Sequence, residues 1–503
     1  MTVQASVTGD QRSATFDSLA PADDEFIATF TVDSAETVAG VLSTARSAQH
    51  AWSSMPPRTR AQHLKAWRHE IWSRRAEFVD LIHRENGKPA DDALLEIVLT
   101  LEHIAWAEKH APRLLRTRRV NPGFLLANYS ALVDKVALGV VGVIGPWNYP
   151  LYAPNSAISA ALAAGNCVVF KPSEYTPAVG ARYVKAFSDA NPELPAGVLS
   201  LVTGFGETGA ALCRAGVDKI AFTGSTATAK KVMATCAQRL TPLVAECGGK
   251  DAMLVDKDAD LDAAVEFATF GAMGNAGQTC AGVERIYVAE PVYQDFVEKL
   301  TAAVSALKPG GAKTSSYGPM TLGKQSDIVR AQIEDALAKG GRAVLGGLDS
   351  LHGPYIDPVI LTDVPEDSTA ITEETFGPTV VVNKVRDLDE GIERANASVY
   401  GLGASVFTKD PGAGRRAAEK LDCGVVTVNS VLGFAGIPAL PFGGTGDSGF
   451  GRIHGADGLR EFSTVKSLAV QKFAAPMNLL TMQRKARDLK VSALMLKLRH
   501  GRS

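Results

Sequence analysis

Two short segments of the chain carry a thiol and a carboxylate that could act together as nucleophile and base. Cys280 lies in residues 277–281 (GQTCA), and Glu246 opens residues 246–250 (ECGGK) at the end of a predicted strand. A cysteine acts as a nucleophile when its surroundings stabilise the thiolate, and a nearby carboxylate can serve as a general base. Because an isolated cysteine is more often a small core residue, this pairing is a hypothesis.

An asparagine side chain is the next candidate for chemistry. Asn148 lies in residues 145–150 (GPWNYP), between two prolines that restrict the backbone. Its carboxamide is therefore a rigid hydrogen-bond donor of the kind that stabilises an oxyanion. The alternative is an asparagine that serves only a structural turn.

Two segments at predicted strand ends could hold parts of a nucleotide. Residues 171–174 (KPSE) place Lys171 and Glu174 three positions apart, which suits a ribose diol or, equally, a surface ion pair. Residues 222–226 (FTGST) lead into a helix, where free amides and the Ser225 hydroxyl could bind a phosphate. Ser225 or Thr226 could instead only cap that helix.

Another segment, residues 204–209 (GFGETG), is rich in glycine, follows a predicted strand and opens a helix. It matches the dinucleotide-binding fingerprint that begins at Gly204. No acidic residue follows at the end of the next strand, about 20 positions later, where ribose recognition would need one. A pyrophosphate site and a simple tight turn both remain open.

Predicted helices and strands alternate around these segments. Residues 33–118 show helical spacing of apolar positions, and helices are also predicted at 178–189 and 227–236. Strands are predicted at 136–144, 167–170, 198–202, 219–222 and 243–245, and in a second series at 252–255, 285–288, 379–382, 404–407 and 425–428. Strands separated by helices form parallel sheets, so we predict an α/β fold with two doubly wound domains and a ligand cleft at the strands' carboxyl ends.

Seven segments then carry a resemblance to a known family. They are PWNYP, KPSE, FTGST, ECGGK and GQTC, together with residues 373–378 (EETFGP) and 441–444 (PFGG). In their order and close to their spacing they resemble the motifs of the aldehyde dehydrogenase superfamily, from about Phe16 to about Lys472. The resemblance implies a Rossmann-like cofactor domain, a catalytic domain and a small β element for oligomerisation.

The resemblance also implies the chemistry, which is the NAD(P)-dependent oxidation of an aldehyde to a carboxylic acid. Cys280 would be the nucleophile, and Asn148 with the Cys280 amide would bind the oxyanion. The Cys280 thiohemiacetal would give a hydride to the nicotinamide, leaving a thioester. Glu246 would activate the water that releases the acid.

The family pattern assigns the cofactor-binding residues as well. Lys171 and Glu174 would hold the adenosine ribose, Ser225 the pyrophosphate, and Glu374 with Phe376 the nicotinamide end. The full predicted set is Pro146, Trp147, Lys171, Ser173, Glu174, Gly204, Gly224, Ser225, Thr226, Glu374 and Phe376. Glu174 would repel a 2′-phosphate and favours NAD, whereas Lys171 would attract one and keeps NADP open.

The domain boundaries follow from the same resemblance. Residues 1–116 and 138–248 are expected to form the cofactor domain, and 249–447 the catalytic domain. Residues 117–137 and 464–473 would form the bridging element, in which 117–136 is a β-hairpin. Through this element we expect a homodimer or a homotetramer.

Composition excludes other classes of protein. A chain of 503 residues exceeds one hydrophobic core, and 46% hydrophobic with 21% charged residues is ordinary for a soluble globular protein. The net charge of −2 gives no sign of nucleic-acid binding. Six cysteines without CxxC spacing argue against a zinc ribbon or a disulfide framework, and residues 1–10 lack a signal pattern. We therefore expect no metal site and a cytoplasmic location.

Two segments bear on contact with a membrane. Residues 136–170 carry no charge, but glycines, prolines and asparagines interrupt them, so a buried strand, a turn and a core helix are predicted instead of a span. Residues 477–503 hold seven basic residues and one acidic residue, with apolar positions at helical spacing from Leu479 to Leu498. Such a helix could lie at a lipid surface, or pack on the enzyme or on a neighbouring subunit.

The substrate is the least defined part of the prediction. Tyr149, Leu151 and Tyr152 are expected to line an apolar tunnel, which favours long-chain or aromatic aldehydes. No arginine pair for the acid group of a semialdehyde is evident, yet distant loops could supply one, so a semialdehyde dehydrogenase is the alternative. A coenzyme A-acylating enzyme typically lacks the base glutamate, and an inactive paralogue would have lost catalytic residues; both are disfavoured by the residues present.

Overall fold

Helices and strands alternate along most of the chain, as the sequence predicts. The computed structural model describes residues 14–475, 477 and 479–501. The helices, in chain order, are α1 (Ala35–Ser54), α2 (Pro57–Ser73), α3 (Arg75–Asn86), α4 (Ala90–Leu114), α5 (Tyr152–Ala164), α6 (Pro177–Ala190), α7 (Gly206–Arg214), α8 (Thr226–Ala237), α9 (Leu261–Met273), α10 (Tyr293–Ser305), α11 (Gly323–Ala338), α12 (Thr369–Thr372), α13 (Leu388–Asn396), α14 (Pro411–Lys420), α15 (Gly455–Glu461) and α16 (Ala486–His500).

The strands are mostly short and rich in β-branched residues. In chain order they are β1 (Thr15–Leu19), β2 (Phe26–Thr31), β3 (Arg118–Val120), β4 (Tyr129–Ala137), β5 (Val140–Ile144), β6 (Cys167–Lys171), β7 (Leu199–Leu201), β8 (Lys219–Thr223), β9 (Leu243–Glu246), β10 (Asp251–Val255), β11 (Val283–Ala289), β12 (Arg342–Leu345), β13 (Leu351–His352), β14 (Tyr355–Ile356), β15 (Val359–Thr362), β16 (Thr379–Val385), β17 (Tyr400–Gly401), β18 (Gly403–Phe407), β19 (Val425–Val428), β20 (Thr445–Gly446), β21 (Gly449–Phe450) and β22 (Ser463–Gln471).

The first large sheet has the strand order β21-β9-β8-β5-β6-β7. Strands β5 to β9 are parallel, and β21 runs antiparallel to β9. The chain leaves β5 toward β6 on one side and returns to β8 on the other. Crevices for ligands form where the strand order reverses in this way. The loops after β5 and β8, which hold residues 145–150 and 224–226, therefore meet at one edge.

The second large sheet has the order β12-β15-β16-β11-β10-β18-β19. All neighbouring strands are parallel except β12, which pairs antiparallel with β15. Helices α9, α10 and α11 contribute buried side chains to the apolar core on this sheet. Two α/β sheets of this kind confirm the predicted fold class.

Four helices precede the first sheet, where the sequence predicts a helical region. Ser34 caps α1 by accepting a hydrogen bond from the Thr37 amide, and Gly87, at φ +90°, ends α3. One face of α4 is buried, including Ala93, Ile97, Thr100 and Ile104 at three- and four-residue spacing. A buried glutamate, Glu96, interrupts that apolar face.

The predicted strand at 136–144 is wrong in its continuity. The structure has two strands, β4 and β5, with Leu138 and Gly139 between them. Gly139 adopts φ +138°, and the amides of both residues donate to Asn166 Oδ1 at 2.7 and 3.0 Å. A side chain captures the backbone donors that a continuous ladder would have used.

The described residues fall into two compact units. One runs from the first described residue to Leu114 and from Ala137 to Ser463, and it holds both large sheets. The other comprises Leu115–Val136 and the described residues from Thr464 onward. It contains a sheet of order β22-β4-β3, in which β3 and β4 form the predicted antiparallel hairpin.

The carboxyl-terminal helix is shorter than the sequence predicts. It spans α16 alone, so the expected helical stripe from Leu479 does not extend through residues 479–485. Leu489 and Leu496 follow the predicted spacing, but Leu494 and Leu498 lie on another side, because each residue advances about 100° around a helix. All four leucines are exposed. Residues 1–10 and Arg502 of the predictions lie outside the described residues.

Candidate active site

A cavity of about 870 Å³ opens within the unit that holds both sheets. Loops after β5, β6, β8 and β9 supply one side, and the segment before β11 supplies another. The predicted site residues that line the cavity are Pro146, Trp147, Asn148, Lys171, Ser173, Glu174, Gly224, Ser225, Glu246, Cys280, Glu374 and Phe376. Gly204 and Thr226 do not line it, and Leu151, expected in the apolar tunnel beside Tyr149 and Tyr152, does not line it either because its side chain is buried in the core.

Cys280 follows a turn with strained backbone. Asn275 and Ala276 adopt φ +53° and +56° within the 3₁₀ turn Gly274–Gly277. Such conformations cost free energy for residues with a side chain and cluster at functional sites. Thr279, next to the cysteine, shares a hydrogen bond of 3.0 Å with the Tyr149 hydroxyl.

The thiol of Cys280 is protonated at neutral pH in the protein as it stands. Its pKa is raised to about 12, mainly by burial and to a smaller extent by Asp251, Glu374 and Glu246, whereas the Ala281 amide opposes the shift. A thiolate is the reactive form. Reaction therefore requires a change in the surroundings of the sulfur that lowers the pKa of the thiol.

Glu246 ends β9 and lies against the same cavity. It is buried, and neither carboxylate oxygen has a hydrogen-bond partner among the described residues. Burial raises its pKa well above the usual range, with partial opposition from Arg452. A carboxyl group held without partners in an apolar site is suited to exchange protons near neutral pH.

Two glycines after Glu246 let three parts of the site approach one another. A Cβ on Gly248 would lie 2.0 Å from Glu374 Oε1, and a Cβ on Gly249 would lie 2.9 Å from the Cys280 carbonyl oxygen. The Gly249 amide also donates to Glu374 Oε1 at 3.1 Å. The glycines of ECGGK are thus needed because side chains there would push the nucleophile and Glu374 away.

Asn148 is held at both its side chain and its backbone. Its Nδ2 donates to the Gln278 carbonyl at 3.0 Å, and its own carbonyl accepts from Asn275 Nδ2 at 3.1 Å. A carboxamide nitrogen carries two hydrogens, so one remains for a substrate oxygen. The structure therefore brings the predicted oxyanion donor to the loop that carries Cys280.

The other half of the cavity has the groups expected for a nucleotide. Lys171 Nζ lies 3.1 Å from Glu174 Oε2, so the pair predicted as a ribose site is also an ion pair. Ser225 caps α8 by accepting from the Thr228 amide, and it lines the cavity as well. The helix-capping interpretation of Ser225 is therefore confirmed, and phosphate binding by its hydroxyl stays a prediction. Thr226 instead donates its hydroxyl to the Asp447 carbonyl at 2.7 Å.

Glu374 and Phe376 close the region between the two halves. Glu284 accepts from the amides of Thr375 and Phe376 at 2.8 and 2.9 Å, which fixes the segment. Phe376 has φ +51°, and its ring meets Trp147 edge-on at 5.5 Å. Burial, and then the charge of Glu284, raise the pKa of Glu374 to about 8.

These groups fit a dinucleotide cofactor. The start of α8, a helix of 12 residues, lies at the cavity with Ser225, and a helix N-terminus presents backbone amides suited to a pyrophosphate. Carboxylates at Glu174 and Glu374 lie on the same cavity and suit two ribose diols. The described residues contain no cluster of three histidine, cysteine or acidic side chains that could hold a metal ion.

The remaining part of the cavity is lined mainly by apolar side chains, with Asp92, Ser156 and His454 among the polar ones. Its lining includes Leu95, Leu99, Tyr152, Phe270, Val431, Leu432, Phe434, Phe442 and Ile453. Leu95 and Phe270 are 44% and 45% exposed, so apolar side chains continue to the solvent-facing part of this wall. Among the described residues that line this part, the cation is Lys88, and Glu96 pairs with it at 2.6 Å.

Some residues of the site were missed at the sequence level. Lys88 and Glu96 were not predicted as site residues, although Glu96 is an acidic residue at a position of α4 where the helical pattern expects an apolar one. Gln278 is adjacent to the predicted nucleophile and anchors Asn148. Leu95 and Phe270 lie on helices whose apolar faces gave no sign of which side chain reaches the cavity.

Comparisons with known proteins agree with this geometry. Residues 7–468 match the aldehyde dehydrogenase family. A 4,4'-diapolycopene aldehyde oxidase from Methylomonas sp is 39% identical over 89% of this chain and 84% of that protein. A putative succinate-semialdehyde dehydrogenase [NADP(+)] from Mycolicibacterium smegmatis is 35% identical over 89% and 87% of the two chains.

The solved structures give the same result. Lactaldehyde dehydrogenase from Escherichia coli superposes with a TM-score of 0.87 at 31% identity, over 92% of this chain and 96% of that one. The family match covers the predicted nucleophile, the predicted base and the predicted cofactor-side motifs together. The protein belongs to the aldehyde dehydrogenase family.

Proposed function

We propose that this enzyme oxidises apolar aldehydes, long-chain or aromatic, to carboxylic acids with NAD. The observation that carries the proposal is the apolar wall that leads to Cys280, with Leu99, Phe434 and Phe442 among its residues. Apolar surface of this kind binds alkyl or aryl groups through the hydrophobic effect. The relative named for oxidation of a diapolycopene aldehyde supports the same class.

The first half of the reaction assigns roles to Cys280 and Asn148. The thiol gives its proton to solvent, and the sulfur attacks the aldehyde carbon. The carbonyl electron pair moves onto oxygen, where Asn148 Nδ2 donates a hydrogen bond to the developing alkoxide. NAD, when bound, supplies the acceptor for the hydride that leaves the thiohemiacetal carbon. A thioester on Cys280 results.

The second half depends on Glu246. Its ionised carboxylate takes a proton from water as the water attacks the thioester, and the Cys280 thiolate leaves. The acid is released, and the thiol regains its proton. Retention of this base argues for hydrolysis over transfer of the acyl group to coenzyme A.

The preference for NAD over NADP is attributed to the charge of Glu174. The family uses NAD(P), and Glu174 lies 26% exposed on the cavity, where its charge disfavours a 2′-phosphate. Lys171 is neutralised in part by the ion pair with Glu174. A kcat/KM with NADP equal to or above that with NAD would contradict this role.

A semialdehyde with an acidic end is the second candidate, favoured by the name of the Mycolicibacterium relative. An acid group would need a cation free to pair with it. Lys88, on the apolar side, already contacts Glu96. The apolar aldehyde is therefore preferred.

Assembly and location are proposed from the smaller unit. The edge strand β22 carries exposed Val465, Leu468 and Val470, and a homodimer or homotetramer would cover them.

We also propose that the enzyme is cytoplasmic and that α16, with its basic residues and exposed leucines, contacts anionic lipid. No described helix meets the length and hydropathy needed to cross a bilayer.

A survey of aldehydes tests the substrate proposal. The kcat/KM for NAD reduction is measured with a straight-chain series, an aromatic aldehyde and succinic semialdehyde. Each added CH₂ buried in the tunnel should raise kcat/KM by up to about fourfold, from about 0.8 kcal/mol per CH₂. A preference for the acidic aldehyde would contradict the proposal and favour the second candidate.

A further inference from the structure

Lys88 and Glu96 form an ion pair with both side chains fully buried. Lys88 follows α3, Glu96 lies on α4, and their Nζ and Oε2 atoms are 2.6 Å apart. Neither group takes part in the proposed reaction. A buried ion pair is weak evidence for stability, because desolvation can cancel its attraction. The contacts of this pair point to a different role.

The pair holds the loop after β5 at successive residues. Lys88 Nζ donates to the Asn148 carbonyl at 2.9 Å and lies 4.0 Å from the centre of the Tyr149 ring. Glu96 Oε1 accepts from the amides of Leu151 and Tyr152 at 2.8 and 3.0 Å. We call this arrangement the Lys88–Glu96 clamp.

The clamp acts on the backbone from which the oxyanion donor projects. The Asn148 carbonyl is fixed by Lys88 on one side and by Asn275 on the other, and its carboxamide is fixed by Gln278. Tyr149, under the Lys88 ammonium, reaches Thr279 beside the nucleophile. Loss of the ammonium would free the Asn148 carbonyl and loosen both contacts.

We propose that Lys88, oriented by Glu96, is a positioning residue that sets the Asn148 carboxamide for the transition state. The proposal rests on the oxyanion role given to Asn148 under the proposed function. Displacement of a reacting group by about 1 Å can cost about 10²-fold in rate. Lys88 contributes to rate through Asn148 and has no contact with the reacting atoms.

The decisive experiment is a double-mutant cycle on the rate of the first hydride transfer, measured as NADH formed before steady state. Lys88→Met keeps the length of the side chain and removes the ammonium. It should slow this step by about 10²-fold, with the affinity for NAD unchanged. Lys313→Met is the matched control, since Lys313 pairs with Asp80 at the surface, and it should leave the rate unchanged.

The same substitution is then made in an Asn148→Ala background. If Lys88 acts through Asn148, Lys88→Met should have almost no further effect in this background. The remaining rate should change by less than about twofold, which is the scatter within which the effects of independent mutations add. A full further loss in that background would show a purely structural effect and overturn the proposal. An unchanged rate in the Lys88→Met single variant would overturn it as well.

A replacement variant and two further outcomes allow the cycle to be interpreted. If Lys88→Met does not fold, Glu96→Gln replaces it in the cycle, because the glutamine carbonyl can still accept from Leu151 and Tyr152, and the same non-additivity is required. If Asn148→Ala alone keeps the full rate, the oxyanion role itself is wrong. If Asn148→Ala is slow but the cycle is additive, only the role of Lys88 fails.

Discussion

At the scale of single residues, Cys280 and Glu246 share one property that the sequence did not reveal. Burial raises the pKa of both groups, which favours the thiol form of Cys280 and the acid form of Glu246. Motif spacing identifies which side chains meet, but it carries no information on how dry the site is. The protonation state therefore had to come from the packed structure.

The reactivity of Cys280 toward iodoacetamide should report its high pKa. Because only the thiolate reacts, the alkylation rate should rise about tenfold per pH unit between about pH 7 and 9, without a plateau. The rate is followed by peptide mass spectrometry, with Cys280→Ala as the control for the other cysteines. A plateau near pH 7 would show a thiolate at rest and contradict the assigned environment.

Glu246→Gln should separate the two halves of the reaction. The variant should form one NADH per active site in a rapid burst, and then turn over about 10²-fold more slowly, because the thioester lacks its general base. Stopped-flow absorbance measures both phases. Wild-type turnover without a burst would exclude Glu246 as the base.

At the scale of elements, the sequence predicted most of the parallel strands because β-branched runs between helices are distinctive. It placed a strand across Leu138 and Gly139, where the Asn166 side chain takes the backbone donors. It also did not anticipate the loss of helix before α16. Both errors involve contacts between distant residues or chain ends, which local periodicity does not encode.

Among the site elements, the loops at the carboxyl ends of strands were predicted well, since PWNYP, KPSE, FTGST and ECGGK lie where β5, β6, β8 and β9 end. The contribution of the helices α3 and α4 to the site was not predicted. Lys88 follows α3 and Glu96 lies on α4, far from the motifs in sequence, and only the packing of α4 against α5 brings them to the loop after β5.

The helix α16 supplies a prediction about lipid binding. Each basic residue near an anionic surface adds about 1 kcal/mol of attraction, so the full chain should co-sediment with vesicles that contain anionic lipid, and more weakly at high salt. A chain that ends at Ala475 should stay in the supernatant. Equal recovery of both chains in the supernatant, at every salt concentration, would exclude the lipid proposal and favour packing of α16 on protein.

At the scale of the whole molecule, the exposed apolar residues of β22 predict self-association. Sedimentation velocity should show a dimer or tetramer, and Leu468→Lys should shift the population toward monomer, because a charge on an edge strand opposes pairing. Lys466→Arg, which keeps both the charge and the apolar side chains of the same strand, is the control. A wild-type protein that is monomeric at all concentrations would contradict this prediction.

Cys280 is proposed to carry out the oxidation of an apolar aldehyde to its acid. This role is tested by measuring NADH and carboxylic acid together from decanal and NAD, for the wild-type enzyme and Cys280→Ala, in the absence of coenzyme A. We predict equal amounts of NADH and decanoic acid from the wild type, and neither from Cys280→Ala, although this variant still binds NAD. Acid formation by Cys280→Ala at the wild-type rate, or NADH without acid from the wild type, would contradict the account.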